Sequence, residues 1–193
     1  ANAIQSISKT YLDKGDYVSA AAEAAGELYG YGHHNVLFKP TKATDVQFRP
    51  MATEAMSYFV GASALDDGGI GEDGGFAING GKGFKEVVFD NHQVDLNGDT
   101  AIAMGTYHFT CATTGAVATV EYTFGYEKNA DGKVRIFLHH SSMPYKPQKK
   151  AAVGVAVPVP PVPATRRDGS PVKASPVVPA VEGKLAEPDG GGR

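Results

Sequence analysis

Four polar residues in the C-terminal half of the chain have side chains that can exchange hydrogen bonds and protons. They are Thr106, Tyr122, His140 and Ser142, and each lies in a segment whose apolar residues alternate as in a β-strand. Imidazole titrates near neutral pH, and hydroxyl groups both donate and accept hydrogen bonds. If the four side chains share a face, they predict a ligand pocket; the alternative is a buried hydrogen-bond network without chemistry.

The last predicted strand sets the phase for this face. Val134, Ile136 and Leu138 are apolar at every second position, as expected for a side that packs against the rest of the protein. Continued without interruption, this alternation predicts that His140 and Ser142 lie on the same covered face.

The neighbouring strands are joined by two turns that set the pairing. A hairpin centred on residues 113–114 is predicted to place Thr106 opposite Tyr122, and the next hairpin places Tyr122 close to His140. A slip of one residue would turn every side chain to the opposite face. The same face is expected to carry Ile102, Met104, His108, Val120, Phe124 and Tyr126.

Other chemistries lack a required partner in the sequence. His139 and His140 are adjacent on a strand, so their side chains point to opposite faces and cannot bind one ion. His108 and His140 share the predicted face, but no third metal ligand joins them, so we expect no metal. No Asp or Glu has the phase to orient His140 in a Ser-His-Asp triad, and Cys111 has no second cysteine.

The pattern of apolar residues changes once along the chain, from a helical period to a period of two. We therefore predict an α+β roll, in which an antiparallel sheet packs on N-terminal helices. The Gly-rich segment 68–83 is expected to be a long connection or a flap. The predicted elements are helices over 4–14, 17–28 and 53–64, a short strand at 36–38, and strands at 84–95, 99–111, 117–127 and 133–142.

Composition divides the 193 residues into a domain over 1–147 and a tail over 148–193. The first part carries 11 Lys and Arg against 17 Asp and Glu, which argues against nucleic-acid binding. The tail holds 8 of the 12 prolines and no aromatic residue, so we predict a disordered Pro-rich linker. No run approaches the roughly 18 apolar residues of a transmembrane helix, and we expect no membrane association.

Three stretches resemble the iota-class carbonic anhydrases of algae and bacteria over residues 3–147. They are 101–109 (AIAMGTYHF), 120–126 (VEYTFGY) and 139–144 (HHSSMP), and the last of these is the most specific. Shorter matches are Leu28-Tyr29, residues 36–41 (VLFKPT), Arg49 and Tyr58-Phe59. More remotely, the chain resembles ketosteroid-isomerase-like enzymes and the association domain of calmodulin-dependent kinase. This remote resemblance implies that the sheet is cone-shaped, as in cystatin-like and NTF2-like folds.

The resemblance implies reversible hydration of CO2 to bicarbonate without a metal, in a homodimer, with a plastid as the compartment. Manganese or zinc is the alternative cofactor. The family pocket uses Thr, Tyr, His and Ser, which implies catalytic roles for the four residues above, with His140 relaying a proton and the hydroxyls orienting water. Substrate contacts are expected from Phe124, Tyr126, Ile102 and His108, whereas His139 and Ser141 are expected to face away.

Two other functions stay open at this level. A small-molecule isomerase or cyclase of the same fold would use His140 or His108 as its base, since no pocket carboxylate is in phase. A non-catalytic association module would use the outer face of the sheet for oligomerisation, with the pocket as packing.

Overall fold

The computed structural model describes residues 1–147, so the predicted linker at 148–193 lies outside the described residues. Three α-helices and a five-stranded sheet form one unit. The helices are α1 (Asn2–Leu12), α2 (Tyr17–Leu28) and α3 (Ala52–Val60). The strands are β1 (Leu37–Lys39), β2 (Phe84–Asn97), β3 (Thr100–Cys111), β4 (Val117–Lys128) and β5 (Val134–Ser142). The predicted α+β roll is confirmed.

Local signals fix the ends of the helices. The Asp16 carboxylate accepts a hydrogen bond of 2.9 Å from the Ser19 amide and thereby caps α2 at its start. The helix α3 ends at Gly61, whose φ of 96° is a left-handed conformation that glycine adopts without steric cost. Ile7 of α1 and Ala21 of α2 are buried against the sheet, so the helices cover one of its faces.

The strand order is β1-β5-β4-β3-β2, and β2 to β5 pair antiparallel as predicted. The edge strand β1 instead pairs parallel to β5, with Leu37 beside Leu138. A strand of three residues carries too little periodicity to reveal its partner, which is why the sequence did not predict this pairing. The position of β1 matters for function because Pro40 and Thr41 follow it directly, and Thr41 lines the cavity described below.

The sheet has two faces, which we call the inner face, toward the helices, and the outer face. In β5 the inner face changes phase at Phe137, where a bulge leaves one residue without a partner on β4. Ile136 lies on the inner face, but after the bulge His139 and Ser141 do so, and both are buried. The prediction that His140 and Ser142 continue the inner face is therefore wrong, because it assumed an uninterrupted alternation.

Gly125 explains why the bulge fits at this position. It pairs with Leu138, and a Cβ at Gly125 would lie 2.7 Å from the ring of Phe137. Only a residue without a side chain lets the extra residue of β5 lie against β4. The glycine of the 120–126 motif is thus required by the bulge that turns His139 inward.

The pairing of β3 with β4 differs by one residue from the predicted register. Thr106 pairs with Glu121 and Gly105 pairs with Tyr122, because the turn is closed by a hydrogen bond of 2.9 Å from the Cys111 amide to Ala116 O. Ala103, Tyr107 and Phe109 consequently face inward. The prediction that placed four β3 residues on the inner face is wrong, since Ile102, Met104, Thr106 and His108 lie on the outer face.

Candidate active site

A cavity of about 200 Å³ lies between the helices and the inner face of the sheet, and we call it the inner cavity. Its wall is mostly aromatic and aliphatic, with one imidazole and several hydroxyl groups. No charged side chain of the described residues lines it. The polar groups on its wall come from Tyr29, Thr41, Tyr58, Tyr107, Tyr126, His139 and Ser141.

His139 is the only imidazole of the described residues in this wall, and its position is fixed on every side. Its ring is stacked between Phe38 and Phe124, with centroid distances of 4.5 and 4.2 Å. Its Nδ1 lies 2.6 Å from the Tyr29 hydroxyl and its Nε2 lies 2.7 Å from Ser141 Oγ. Both ring nitrogens are therefore hydrogen bonded inside an aromatic cage.

Burial, and to a smaller extent the neighbouring His140, lower the pKa of His139 to about 3. The imidazole is therefore neutral at physiological pH. It cannot hold a proton taken from water at that pH, but it can accept one hydrogen bond and donate another. This differs from the proton-relay role that the resemblance implied for the histidine of the site.

We predict that His139 makes the protein sensitive to acid. Its pKa is about 3 when folded and about 6.5 when unfolded, so the unfolded state binds the additional proton, and stability falls as pH drops from 6.5 toward 3. His139→Phe keeps an aromatic ring between Phe38 and Phe124 and removes this titration. In urea titrations from pH 7 to pH 4, the variant should lose less unfolding free energy than the wild type. Equal losses would contradict the buried neutral state.

Four hydroxyl groups converge on the cavity next to this histidine. Tyr107 and Ser141 are in hydrogen-bond contact, and the Thr41 side chain lies within reach of the Tyr58 and Tyr107 hydroxyls. Burial raises the pKa of Tyr107 to about 12 and that of Tyr58 above its usual value, although hydrogen bonds to Thr41 counter part of the rise. Both tyrosines therefore stay protonated and can donate hydrogen bonds to a ligand.

A buried ion pair holds the segments that carry Thr41 and Tyr58. The Arg49 guanidinium donates a hydrogen bond of 3.0 Å to Asp73 Oδ1, and both side chains are fully buried. Ser57 Oγ, one residue before Tyr58, donates to Asp73 Oδ2 at 2.7 Å. The pair thereby connects the loop after β1, the helix α3 and the Gly-rich connection.

None of the four residues predicted as catalytic lines the inner cavity. His140 is exposed, and Ser142 Oγ donates a hydrogen bond of 2.9 Å to Glu121 on the outer face. Thr106 lies on the same face, in a polar cleft that Tyr122 also lines. The structure therefore brings all four predicted residues together, but in this cleft and not in the inner cavity.

The fourth predicted residue, Tyr122, is on the inner face and buried, but its hydroxyl donates to the Asn91 side chain near the edge strand. Among the predicted substrate contacts, Phe124 and Tyr126 line the inner cavity. Ile102 and His108 do not, and His108 Nδ1 is hydrogen bonded to Thr119 Oγ1 at 3.0 Å on the outer face.

Sequence reasoning missed His139, Ser141, Tyr107, Thr41, Tyr58 and Tyr29 as cavity residues. One signal was available in β5, where residues 136–138 (Ile-Phe-Leu) are three consecutive apolar residues. Strict alternation cannot place all three on one face, so this run is compatible with a bulge. Tyr29, Thr41 and Tyr58 come from helices and a loop, for which strand alternation gives no information.

The fold and the cavity define an α+β roll with an enclosed small-molecule site built from hydroxyls and one neutral imidazole. A family model described as metal-independent carbonic anhydrase matches residues 1–143. A metal-independent carbonic anhydrase from Nostoc sp. (strain PCC 7120 / SAG 25.82 / UTEX 2576) is 39% identical over 150 residues, covering 75% of this chain and 68% of the relative. The chain belongs to the metal-independent carbonic anhydrase family.

One solved structure agrees with this assignment. The iota-carbonic anhydrase from a cyanobacterium, complexed with bicarbonate, aligns with a TM-score of 0.68 and 36% identity, covering 76% of this chain and 86% of that one. An NTF2-like protein of unknown function from Shewanella oneidensis MR-1 aligns at 15% identity with a TM-score of 0.42, covering 73% of this chain and 93% of that one. The resemblance to iota-class enzymes and the expected independence from metal are confirmed by the family match.

Two further observations concern the described residues. None of their helices is long and apolar enough to cross a membrane. They also contain no group of three or more His, Cys, Asp and Glu side chains placed to ligate one metal ion. His139 alone offers the cavity an imidazole, and both of its nitrogens already have hydrogen-bond partners, so this donor set does not fit a manganese or zinc centre.

Proposed function

We propose that the protein catalyses reversible hydration of CO2 in the inner cavity, with Ser141, Tyr107, Thr41 and Tyr58 as the groups that contact the reactants. The observation that carries this proposal is the convergence of four protonated hydroxyls on an apolar cavity in a chain of this family. Thr106, His140 and Ser142 leave the proposed site because they lie on the outer face. Tyr122 contributes packing against Tyr107 at a centroid distance of 5.2 Å.

The absence of charged side chains from the cavity wall determines the proposed mechanism. Among the described residues, no carboxylate lines the wall and His139 is neutral, so no side chain of the wall can hold the proton of the attacking water at neutral pH. A hydroxyl group, however, accepts a proton from water while it donates its own. The proton can thus pass through a hydroxyl to an oxygen of CO2 while the water oxygen bonds to carbon.

This step conserves atoms and charge. One C–O bond forms, one C=O bond becomes a C–OH, and the hydroxyl that relayed the proton is restored. The product is carbonic acid, which ionises to bicarbonate on reaching water. The other hydroxyls donate to the oxygen on which negative charge develops, and such preorganised donors supply most of the stabilisation in comparable sites. The apolar wall, including Phe124 and Tyr126, holds the CO2.

The test is CO2 hydration by stopped flow with a pH indicator, on protein stripped with a chelator and analysed for residual metal. We expect the rate to be unchanged by stripping. A rate that disappears on stripping and returns with manganese or zinc would overturn the mechanism, and no rate in either state would overturn the proposed activity.

We propose that the outer face of the sheet mediates homodimerisation. An apolar row crosses this face from Ile102 to Gly125, Leu138 and Leu37, with Met104 beside it, and three of these side chains are more than 40% exposed. A contiguous exposed apolar patch with polar neighbours favours a protein interface, and a second copy of the chain presents the same patch.

Ile102→Asp should therefore reduce the solution mass toward that of a monomer, because a dimer would bury the added charge. Light scattering after size-exclusion chromatography measures this effect. Val134→Asp is the matched control, since Val134 is likewise an exposed β-branched residue in a strand but is on the inner side of β5. A monomeric wild type would refute the dimer.

The plastid location remains a prediction from the resemblance. The curated relative comes from a cyanobacterium, which has no plastid, and therefore does not support it. Fractionation of the source cells, with detection by an antibody to residues of the domain, tests this prediction.

A further inference from the structure

We infer that Tyr29 is a positioning residue that fixes the tautomer of His139 and thereby decides whether Ser141 and Tyr107 present a hydrogen-bond donor to the cavity. Its catalytic meaning rests on the proposed function. Tyr29 lies at the end of α2, is 6% exposed and belongs to the wall of the inner cavity, and its hydroxyl lies 2.6 Å from Nδ1 of His139. Because this hydroxyl is hydrogen bonded to the histidine, we assign its effect on the reactants to His139 and to Ser141 beyond it.

The direction of the hydrogen bond between Tyr29 and His139 follows from the partners available to the buried hydroxyl. Within residues 1–147, the Tyr29 hydroxyl has no hydrogen-bond partner other than His139 Nδ1. If Nδ1 carried the proton, Tyr29 would accept the hydrogen bond, and its own O–H would have no acceptor among residues 1–147. Because an unsatisfied buried donor costs more than a hydrogen bond is worth, Tyr29 donates and Nδ1 accepts.

The neutral imidazole has a single N–H, so a bare Nδ1 requires a protonated Nε2. This Nε2–H donates to Ser141 Oγ at 2.7 Å, while the Tyr107 hydroxyl lies 3.5 Å from the same nitrogen. Ser141 and Tyr107 are also in contact with each other, so one of their two protons is used between them. The remaining proton is free to donate into the cavity.

The opposite tautomer reverses this outcome. A bare Nε2 would accept the Ser141 proton, and Tyr107 would then have to donate its proton to Ser141 to keep their contact. Neither hydroxyl would then have a proton left to donate into the cavity, and both could only accept hydrogen bonds there. An oxygen that develops negative charge needs donors, so only the tautomer selected by Tyr29 suits CO2 hydration.

The test is ¹⁵N NMR of the imidazole nitrogens in protein labelled with ¹⁵N-histidine. In the wild type we expect a pyridine-type Nδ1 and a protonated Nε2 for His139. In Tyr29→Phe the preference should weaken, so that the Nδ1–H form becomes visible and kcat falls roughly ten-fold, the equivalent of one hydrogen bond, with little change in KM. A purely structural role for Tyr29 would not change the tautomer.

Tyr31→Phe is the matched control. The Tyr31 ring stacks on Tyr29 at 5.9 Å, but its hydroxyl donates to Arg49 O at 2.7 Å and has no contact with His139. It should leave the ¹⁵N spectrum of His139 unchanged. If Tyr29→Phe fails to fold, the wild-type spectrum still decides, because a protonated Nδ1 there would overturn the inference.

The two proposals fail in different ways. A protonated Nδ1 in a wild type that hydrates CO2 would refute the role of Tyr29 and leave the function intact. The expected tautomer in a protein without hydration activity would refute the function while leaving the hydrogen-bond direction correct.

Discussion

Ser141→Ala is expected to lower kcat/KM for CO2 hydration by about 10² to 10³, the usual loss when one preorganised donor to a developing oxyanion is removed. Ser141 is 2% exposed and connects His139 to Tyr107, so its hydroxyl is part of the proposed relay. Alanine removes only the oxygen and leaves the strand intact. Stopped-flow hydration measures the loss, and circular dichroism verifies the fold.

The adjacent residue provides the control for this experiment. Ser142 differs from Ser141 by one position and lies on the outer face, where its hydroxyl bonds to Glu121. Ser142→Ala should therefore keep the wild-type rate. A large loss at Ser142 with a small loss at Ser141 would move the site to the outer cleft and restore the original sequence prediction.

Asp73→Ala is expected to destabilise the fold by about 3 kcal/mol, the lower end of the usual cost of breaking a buried ion pair, because it leaves the buried Arg49 guanidinium with only the Glu72 carboxylate, 3.6 Å away. The Arg49 and Asp73 side chains are inaccessible to solvent, and Ser57 loses its acceptor in the same variant. Urea denaturation measures the free energy of unfolding. Because Ser57 precedes Tyr58 in α3, the hydration rate should also fall.

The exposed ion pair between Glu27 and Lys133 gives a matched comparison, with an N···O distance of 2.9 Å. Glu27→Ala should change stability little, since solvent screens such pairs. The double variant Arg49→Met with Asp73→Leu should recover part of the stability, as it removes both charges. Equal effects of Asp73→Ala and Glu27→Ala would show that burial of the Arg49 pair does not matter.

Much of the fold could be predicted from the sequence because it depends on local patterns. Helical spacing around Ile7 and Ala21, and alternation in β2 to β5, gave the elements to within a few residues. The parallel pairing of β1 was not predictable, since three residues carry no phase information. The long glycine-rich connection was expected, but not the buried Asp73 within it.

The candidate site was harder to predict because it depends on two single-residue events. The bulge at Phe137 places His139 and Ser141 on the inner face instead of His140 and Ser142. The register of β3 places Tyr107 there instead of Thr106. Periodicity predicts that side chains alternate between the two faces of the sheet, but it does not show at which residue a bulge or a shift of register reverses this alternation. The candidate site keeps the predicted His and Ser at numbers displaced by one, whereas on β3 the displacement replaces a threonine by a tyrosine.

The uncharged side chains in the wall of the inner cavity also affect hydration and dehydration differently. Carbon dioxide is neutral and apolar, so it enters the cavity without losing a hydration shell. Bicarbonate must leave its shell and finds hydrogen-bond donors but no cationic side chain among the wall residues. The neutral carbonic acid formed in the proposed step leaves the cavity before it ionises, whereas dehydration that starts from bicarbonate must bring the anion into this wall and therefore requires a high bicarbonate concentration.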